Sequence, residues 1–477
     1  MTEIIKNVKN PLPFYFFEQI SKIPRASGNE KEVANYIVEI AIKHSLQYYI
    51  DEHNNVLVTK SASVGRENED AILLQAHTDM VAEKNVATKH DFKKDPIKLL
   101  QNGNILSASG TTLGADDGFG VSIMLAILTD ESISHPKLEC LFTSAEEIGL
   151  VGASKFDYSK ISSKKMINLD SAEENTVIIG CCGGIRTELT IPVSFTNGNY
   201  NGYKITIGGL CGGHSGEDID RGRLNAHILM GKALEFLKDA SFCSISSIHG
   251  GDKDNAIPRE CELVIVPDDI SLVDKKISML DSYLRSFVKA NEDKGIFVKA
   301  EKVNVNSVMS KEATNKLLKT LSLPNGVLTY REVAPILPNT SRNLARIRTN
   351  KSNVSIGFSS RAYLEKDLMV SVNTLNNLAI EIGGTTFHHE KYPGWQGEPS
   401  SSLVTNWQKA YNKACQGVTM PTLIHAGLEC GLITAGVSGL NAISVGCNVH
   451  DLHTPMETME IDSMDRIYDT MIEFLKQ

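Results

Sequence analysis

The chain has no CxxC pair, no dense Lys/Arg run and no uninterrupted apolar stretch long enough to cross a bilayer. Its nine cysteines are an odd number spread from Cys140 to Cys447, and adjacent Cys181-Cys182 do not readily form a simple structural bridge. These features argue against a disulfide framework and make a reducing cytosol the expectation. The N-terminal run Met1-Thr2-Glu3-Ile4-Ile5-Lys6 carries acid and base early, without the apolar core of a secretion signal. A net charge of -9 speaks against a nucleic-acid surface, which needs a basic stripe to neutralise phosphates. Neither nucleic acid nor membrane is therefore expected as a partner, and the chain shows no internal repeat or low-complexity tract.

What is there is ordinary globular material, 42% apolar and 22% charged. At 477 residues it exceeds one comfortable hydrophobic core, so two domains are expected. Val33, Tyr36, Ile37, Ile40 and His44 recur at helical steps behind Ser27-Gly28-Asn29 and predict a structural helix over 29–46. Short apolar runs at 55–59, 71–76, 138–143 and 166–169 read as buried strands, with a helical stretch at 121–128, which together predict an α/β sheet. From about Ile185 the texture changes. Strand-like runs at 203–207 and 263–266 alternate with helical stretches at 220–237 and 272–291, and a helix over 364–382 stops at Gly383-Gly384 before a strand at 385–389. The tail returns to helix and strand, with a buried-type strand at 440–445 and a last helix at 462–475.

Metal-binding residue types end several of these runs. His77, Glu146-Glu147 and Asp170 each follow a strand-like run, at the strand ends where open α/β sheets place their crevices. Asp116-Asp117 open the helical stretch, and His453 lies in the tail. Two imidazoles with several carboxylates suit Zn²⁺, Mn²⁺ or Co²⁺ better than a thiolate-loving ion, and the set reads as a two-metal hydrolase. In His77-Thr78-Asp79 the polar residues stand at i and i+2, so an extended segment directs both to one side. His77 can then bind metal while Asp79 takes the other ring proton. A capping role explains one of Asp116 and Asp117 but not both, since adjacent carboxylates repel unless cations are present, and Asp116 can bridge two ions. Of Glu146 and Glu147, one carboxylate can coordinate metal while the other takes a proton from the attacking water. His214, in a glycine frame, can donate to the oxyanion of a tetrahedral intermediate if its domain closes over the first. Because His453 lies beyond the second domain, the first is expected to be discontinuous: 1–184 with 385–477, interrupted by 185–384.

Ile23–Gly28, His77–Val81, Leu113–Gly118, Gly212–Gly216, Asn255–Glu260 and His425–Gly431, in that order, resemble the M20 metallopeptidases and within them the aminoacyl-histidine dipeptidase branch. The resemblance runs over essentially the whole chain. It implies a zinc-peptidase-like α/β catalytic domain with a mixed sheet, interrupted by an α/β lid domain. It further implies that His77 and Asp170 bind one ion, that Glu147 and His453 bind the other, and that Asp116 bridges them just before a cis peptide. Asp79 would orient His77 and Glu146 would be the general base. His214, Asn255 and Glu429 would contact substrate, with a helix-turn role as the alternative for Glu429. His453 is preferred over His450 because His453-Thr454-Pro455 resembles the family's His-Ser-Pro element, and His388-His389 match no ligand motif. The implied function is hydrolysis of dipeptides, including Xaa-His, with two divalent ions (Zn²⁺ first, Co²⁺ or Mn²⁺ otherwise) in a cytoplasmic protein that forms a homodimer. Two rivals stay open: an N-acyl amino acid amidohydrolase of the same superfamily, and a noncatalytic metal-dependent peptide-binding protein.

Overall fold

A computed structural model describes residues 2–332 and 337–477; Met1 and Val333–Ile336 lie outside it. The chain divides into two compact units, Met1–Cys181 with Trp395–Ile424 and Leu428–Gln477, and Cys182–Gly394 with His425–Gly427.

The first unit is built on a mixed sheet. Its central strands Leu138–Thr143, Ile72–His77, Lys165–Ser171 and Asn441–Gly446 lie side by side in that order and run parallel. Val56–Lys60 and Gln47–Ile50 extend it antiparallel on one side, and Thr176–Cys181 adjoins Asn441–Gly446 on the other. The central strands read as continuous apolar runs because both faces are covered. Ile72, Leu74 and Ala76 enter one core with Phe14, Phe17, Met124 and Trp407, whereas Leu73 points the opposite way to Leu141, Met166 and Ile433. Helix Ala115–Thr129 is buried along nearly its whole length, which explains a sequence with no polar face. The helix expected at 29–46 spans Lys31–Lys43.

The second unit carries an antiparallel sheet in the order Phe297–Met309, Phe195–Gly208, Cys261–Pro267, Cys243–Gly250, Pro338–Thr349, Asn353–Ala362, Gly183–Pro192, Thr385–Tyr392. Cys261–Pro267 alternates buried and half-buried positions, as a sheet with one packed face requires. Helices Ala226–Lys238, Lys311–Leu321 and Glu365–Ile382 supply Leu234, Leu317 and Leu378 to its core beside Leu189, Ile205 and Leu263. Several boundaries differ from the sequence reading. The helix expected from Asp220 begins at Ala226, because the Asn225 side chain accepts from His227 N and Ile228 N and so caps it there. The helix expected over 272–291 spans Ile270–Arg285, capped by Asp269. The strand after Gly383 pairs along Gly183–Pro192, so the return to the first unit falls at Trp395 and not at 385.

One buried group gives the second unit a pH response. His227 is fully buried beside the Leu344 carbonyl, and burial pushes its pKa down to about 4. The unfolded chain takes up a proton near the ordinary value of 6.5, the folded chain only near 4, so stability falls with acidification across that window. The full loss from this one group is about 3 kcal/mol. Thermal unfolding from pH 7.5 to 5 is expected to show a shallower loss of Tm in His227→Gln than in the parent. Parallel curves would remove His227 from the pH response.

Candidate metal centre

The parallel register brings the chemistry to one edge. His77 pairs opposite Thr143 and Gln75 opposite Asn168, so these strands finish at nearly the same level. His77 is the last residue of its strand, Asp170 lies near the end of the next, and the chain leaving Thr143 turns through Ala145, at φ 49°, into Glu146-Glu147. Asp116 comes from the non-helical kink at the start of Ala115–Thr129, and the Asp116-Asp117 peptide is cis. Asp117 does the capping, accepting from Gly120 N at 3.2 Å and from His77 N at 3.1 Å, which leaves Asp116 free for the site.

The two oxygens of Asp116 face two imidazoles. Oδ1 lies 2.9 Å from His77 Nε2 and Oδ2 3.1 Å from His453 Nε2. Asp170 Oδ1 stands 3.6 Å from His77 Nε2, and Glu147 Oε1 3.2 Å from His453 Nε2. Ligand atoms of His77, Asp116 and Asp170 lie within 4.8 Å of one another, as do those of Asp116, Glu147 and His453, and those of His77, Glu146 and Glu147. Asp79, fully buried, places Oδ1 3.4 Å from His77 Nδ1. It also accepts from Glu146 N at 3.0 Å, Glu147 N at 3.3 Å and the Ser27 hydroxyl at 2.7 Å. One carboxylate thus orients the imidazole and fixes the glutamate turn.

Electrostatics show what this cluster needs. Burial, reinforced by neighbouring acids, pushes Glu147 up to about 7 and Asp170 up to about 6. Burial, then repulsion from Glu147 and Asp170 that His77 only partly offsets, raises Glu146 well above the carboxylate range. Burial opposes charge on His453 too, but Asp116 and Glu147 outweigh it and lift the imidazole to about 11. The same contest holds Asp116 far below its ordinary value. Protons on two rings only partly balance these acids, whereas divalent cations would balance them and use every facing atom. Two ligands about 2.05 Å from an ion at a tetrahedral angle stand about 3.3 Å apart. The four N···O distances of 2.9 to 3.6 Å bracket that separation. The donor set is imidazole and carboxylate, so the residues present fit hard or borderline divalent ions.

The remaining sequence candidates have partners of their own. His450 turns to Glu460 Oε1 at 3.2 Å. Glu429, expected at the substrate, is fully buried at the start of helix Glu429–Gly436, where its Oε2 accepts from Thr143 Oγ1 at 2.6 Å and from Gln75 Nε2. It thus occupies the polar interior of the sheet, while its Oε1 has no partner. His388 is held by Thr187 and Asn376. In the second unit, the backbone of His214 pairs with Ala256 and Ser215 N donates to Asn255 O at 2.8 Å, so His214 and Asn255 are neighbours. Sequence reading missed three residues. Arg361, 6% exposed, donates to the Tyr392 hydroxyl at 2.6 Å and lies 3.4 Å from His214 Nε2, yet among the described residues it has no carboxylate opposite it and its buried Nε has no partner. Arg25 and Glu457, each 2% exposed, grip the backbone around Gly114. The one sequence signal for all three is a charged residue inside a small or apolar neighbourhood.

A parallel-centred α/β sheet with facing histidines and carboxylates at the carboxyl ends of its strands defines the class as a metallohydrolase. Residues 55–189 match the family described as Peptidase family M28, and residues 201–276 match the Peptidase dimerisation domain. The chain is 32% identical over 475 residues to a cytosol non-specific dipeptidase of Escherichia coli (strain K12), an alignment covering 98% of each protein. Its fold is similar to that of the aminoacylhistidine dipeptidase from Vibrio alginolyticus, with a TM-score of 0.80 and 30% identity over 98% of this chain and 97% of that one. The aminopeptidase PepT from Bacillus cereus ATCC 10987 shares the fold at a TM-score of 0.58 and 14% identity, each chain covered to 98%. The chain belongs to the dipeptidases of the M20 metallopeptidase family. It is accordingly a metal-dependent hydrolase of peptide bonds.

The geometry separates the two tail histidines. His453→Ala is expected to lower metal content and affinity, measured by elemental analysis after dialysis, while His450→Ala leaves both at the parental level. The reverse pattern would overturn the placement of His453 at the centre.

Proposed function

We propose that this chain is a cytosolic dipeptidase in which His77 and Asp170 hold one divalent ion, Glu147 and His453 hold a second, and Asp116 bridges them. The observation that carries the reading is the two-sided Asp116, with one oxygen toward each imidazole. Zn²⁺ is the first choice, with Co²⁺ or Mn²⁺ compatible with the same donors. When bound, the ions polarise the peptide carbonyl and acidify the attacking water. Asp79 keeps His77 in the tautomer and orientation that present Nε2. Glu146, raised above the carboxylate range yet not sealed from solvent, takes the proton of the attacking water and returns it to the leaving amine.

The second unit supplies substrate contacts in this reading. Arg361, buried and without an acidic partner among the described residues, suits the terminal carboxylate of a dipeptide. His214 and Asn255 lie on the paired segments beside it and contact the same substrate. Similarity of residues 201–276 to a dimerisation domain supports a homodimer. The curated relative is cytosolic by name, and no described helix is long and apolar enough to cross a membrane.

Unmodified dipeptides, Xaa-His among them, are expected to be hydrolysed in preference to N-acylated amino acids. The opposite preference would replace the dipeptidase reading with an amidohydrolase, and absence of turnover on any of them by the metal-loaded protein would favour a binding role. Glu146→Ala is expected to retain metal and lose activity by about 10²- to 10⁴-fold; an unchanged rate would remove Glu146 from proton transfer. Arg361→Met is expected to raise KM for dipeptides by about 10- to 100-fold with a smaller change in kcat. An unchanged KM would dismiss it as the carboxylate partner.

A further inference from the structure

Asp116 and His453 are far apart in sequence, and neither sits in a strand that could fix its position. The turn before Asp116 is instead held from two sides by buried charges. Glu457, four residues beyond His453, accepts at Oε2 from Leu113 N at 2.8 Å and Gly114 N at 3.0 Å, and at Oε1 from Ala115 N at 2.8 Å and Asp116 N at 3.4 Å. Arg25 donates to the Gly114 carbonyl, and through Nη1 to the carbonyls of Thr78 at 3.0 Å and Asp79 at 2.9 Å. Amides and carbonyl of one turn are thus engaged by an anion and a cation, each anchored beside another part of the site. The approach is too close for a side chain: a Cβ on Gly114 would lie 2.7 Å from Arg25 Nη2, and Gly114 has φ +68°.

Buried charges are costly unless compensated, and a pair that only filled space would be replaced by apolar groups at little loss. Here both charges are spent on backbone atoms of the segments that bear His77 and Asp116, and Glu457 itself lies on the segment that bears His453.

We propose that Arg25 and Glu457 are positioning residues that set the Asp116 bridge before any cation arrives, so that the ions enter a preformed site. The inference rests on the two-ion reading above. Its test begins with the metal-free parent: by hydrogen-exchange mass spectrometry, the segment containing Leu113, Gly114 and Ala115 is expected to be protected, because its amides are already bonded to Glu457. Rapid exchange there would overturn the proposal. Co²⁺ titration of metal-free protein, followed by calorimetry and visible absorption, then compares the parent with Glu457→Gln. Gln presents an amide N–H₂ to a ring of N–H donors, and affinity for the ion shared by Asp116 and His453 is expected to fall about 30-fold. Glu457→Asp, which retains the carboxylate, is expected to recover part of that loss. A folded Glu457→Gln protein that takes up both ions within about 3-fold of parental affinity would overturn the proposal. If that variant does not fold, the exchange measurement on the parent decides. A parent that binds no pair of Co²⁺ ions would overturn the two-ion reading instead, an outcome distinct from intact uptake by the variant.

Discussion

Acidic groups crowded into a space from which water is largely excluded are the constraint around which the first unit is organised. Asp116, Glu147 and Asp170 have side chains between 7% and 18% exposed, and Asp117 and Asp79 are fully buried beside them. No folded chain gathers such charge without compensation. Part of the compensation is internal: the rings of His77 and His453 face Asp116, and backbone amides of Glu146 and Glu147 satisfy Asp79. The rest suits divalent cations, so the donor set fits a metal centre better than a salt-bridge network.

The sheet makes this arrangement repeatable. Parallel strands in close register end together, so His77 and Asp170 need no long loop to meet. Beneath them lies a polar layer. Gln75, two residues before His77, accepts from Asn168 Nδ2 at 2.7 Å, and its own amide donates to Thr143 Oγ1 at 3.1 Å and to Glu429. Period-two alternation carries Gln75 to the same face as His77 and Asn168 to the same face as Asp170. Burial pushes Glu429 up to about 7 within this layer. Such hydrogen bonds couple the strands side by side just below the residues they present, where a slip of register would separate the ligands.

This division explains what could be read from sequence. The strand at Leu138–Thr143 matches its apolar run, and those ending at His77 and containing Asp170 differ from theirs by a residue or two, because hydrophobic patterning and strand placement share one cause. The pairing of His77 with Asp79 followed from the same geometry. Glu457, Arg25 and Arg361 were assigned no role because each is a single charge whose partners are backbone atoms or distant side chains, and no periodicity encodes that. Helix starts at Ala226 and Ile270 were misplaced for a related reason: a cap depends on one side chain reaching one or two amides, while Asp220–Leu224 carries no sharp change of pattern. For Glu429 the motif left two roles open, a substrate contact or a helix turn; it starts helix Glu429–Gly436, and full burial gives its Oε2 to Gln75 and Thr143.

The histidines show why burial alone does not mark a functional group. His77 and His227 are both fully buried, and desolvation acts on each in the same direction, against the charged ring. His227 faces a carbonyl and falls to about 4, and His425, beside Cys182 and Ser341 with Arg361 near, falls to about 3. His77 faces Asp116, Asp170 and Asp79 and rises well above its ordinary value. The two classes differ in the number of acids confronting the ring, not in depth. A ring surrounded by carboxylates holds a proton tightly when no cation is near, and the ion that displaces the proton inherits the same field. The surroundings that raise the affinity of His77 for a proton are therefore those that would suit it to bind a metal.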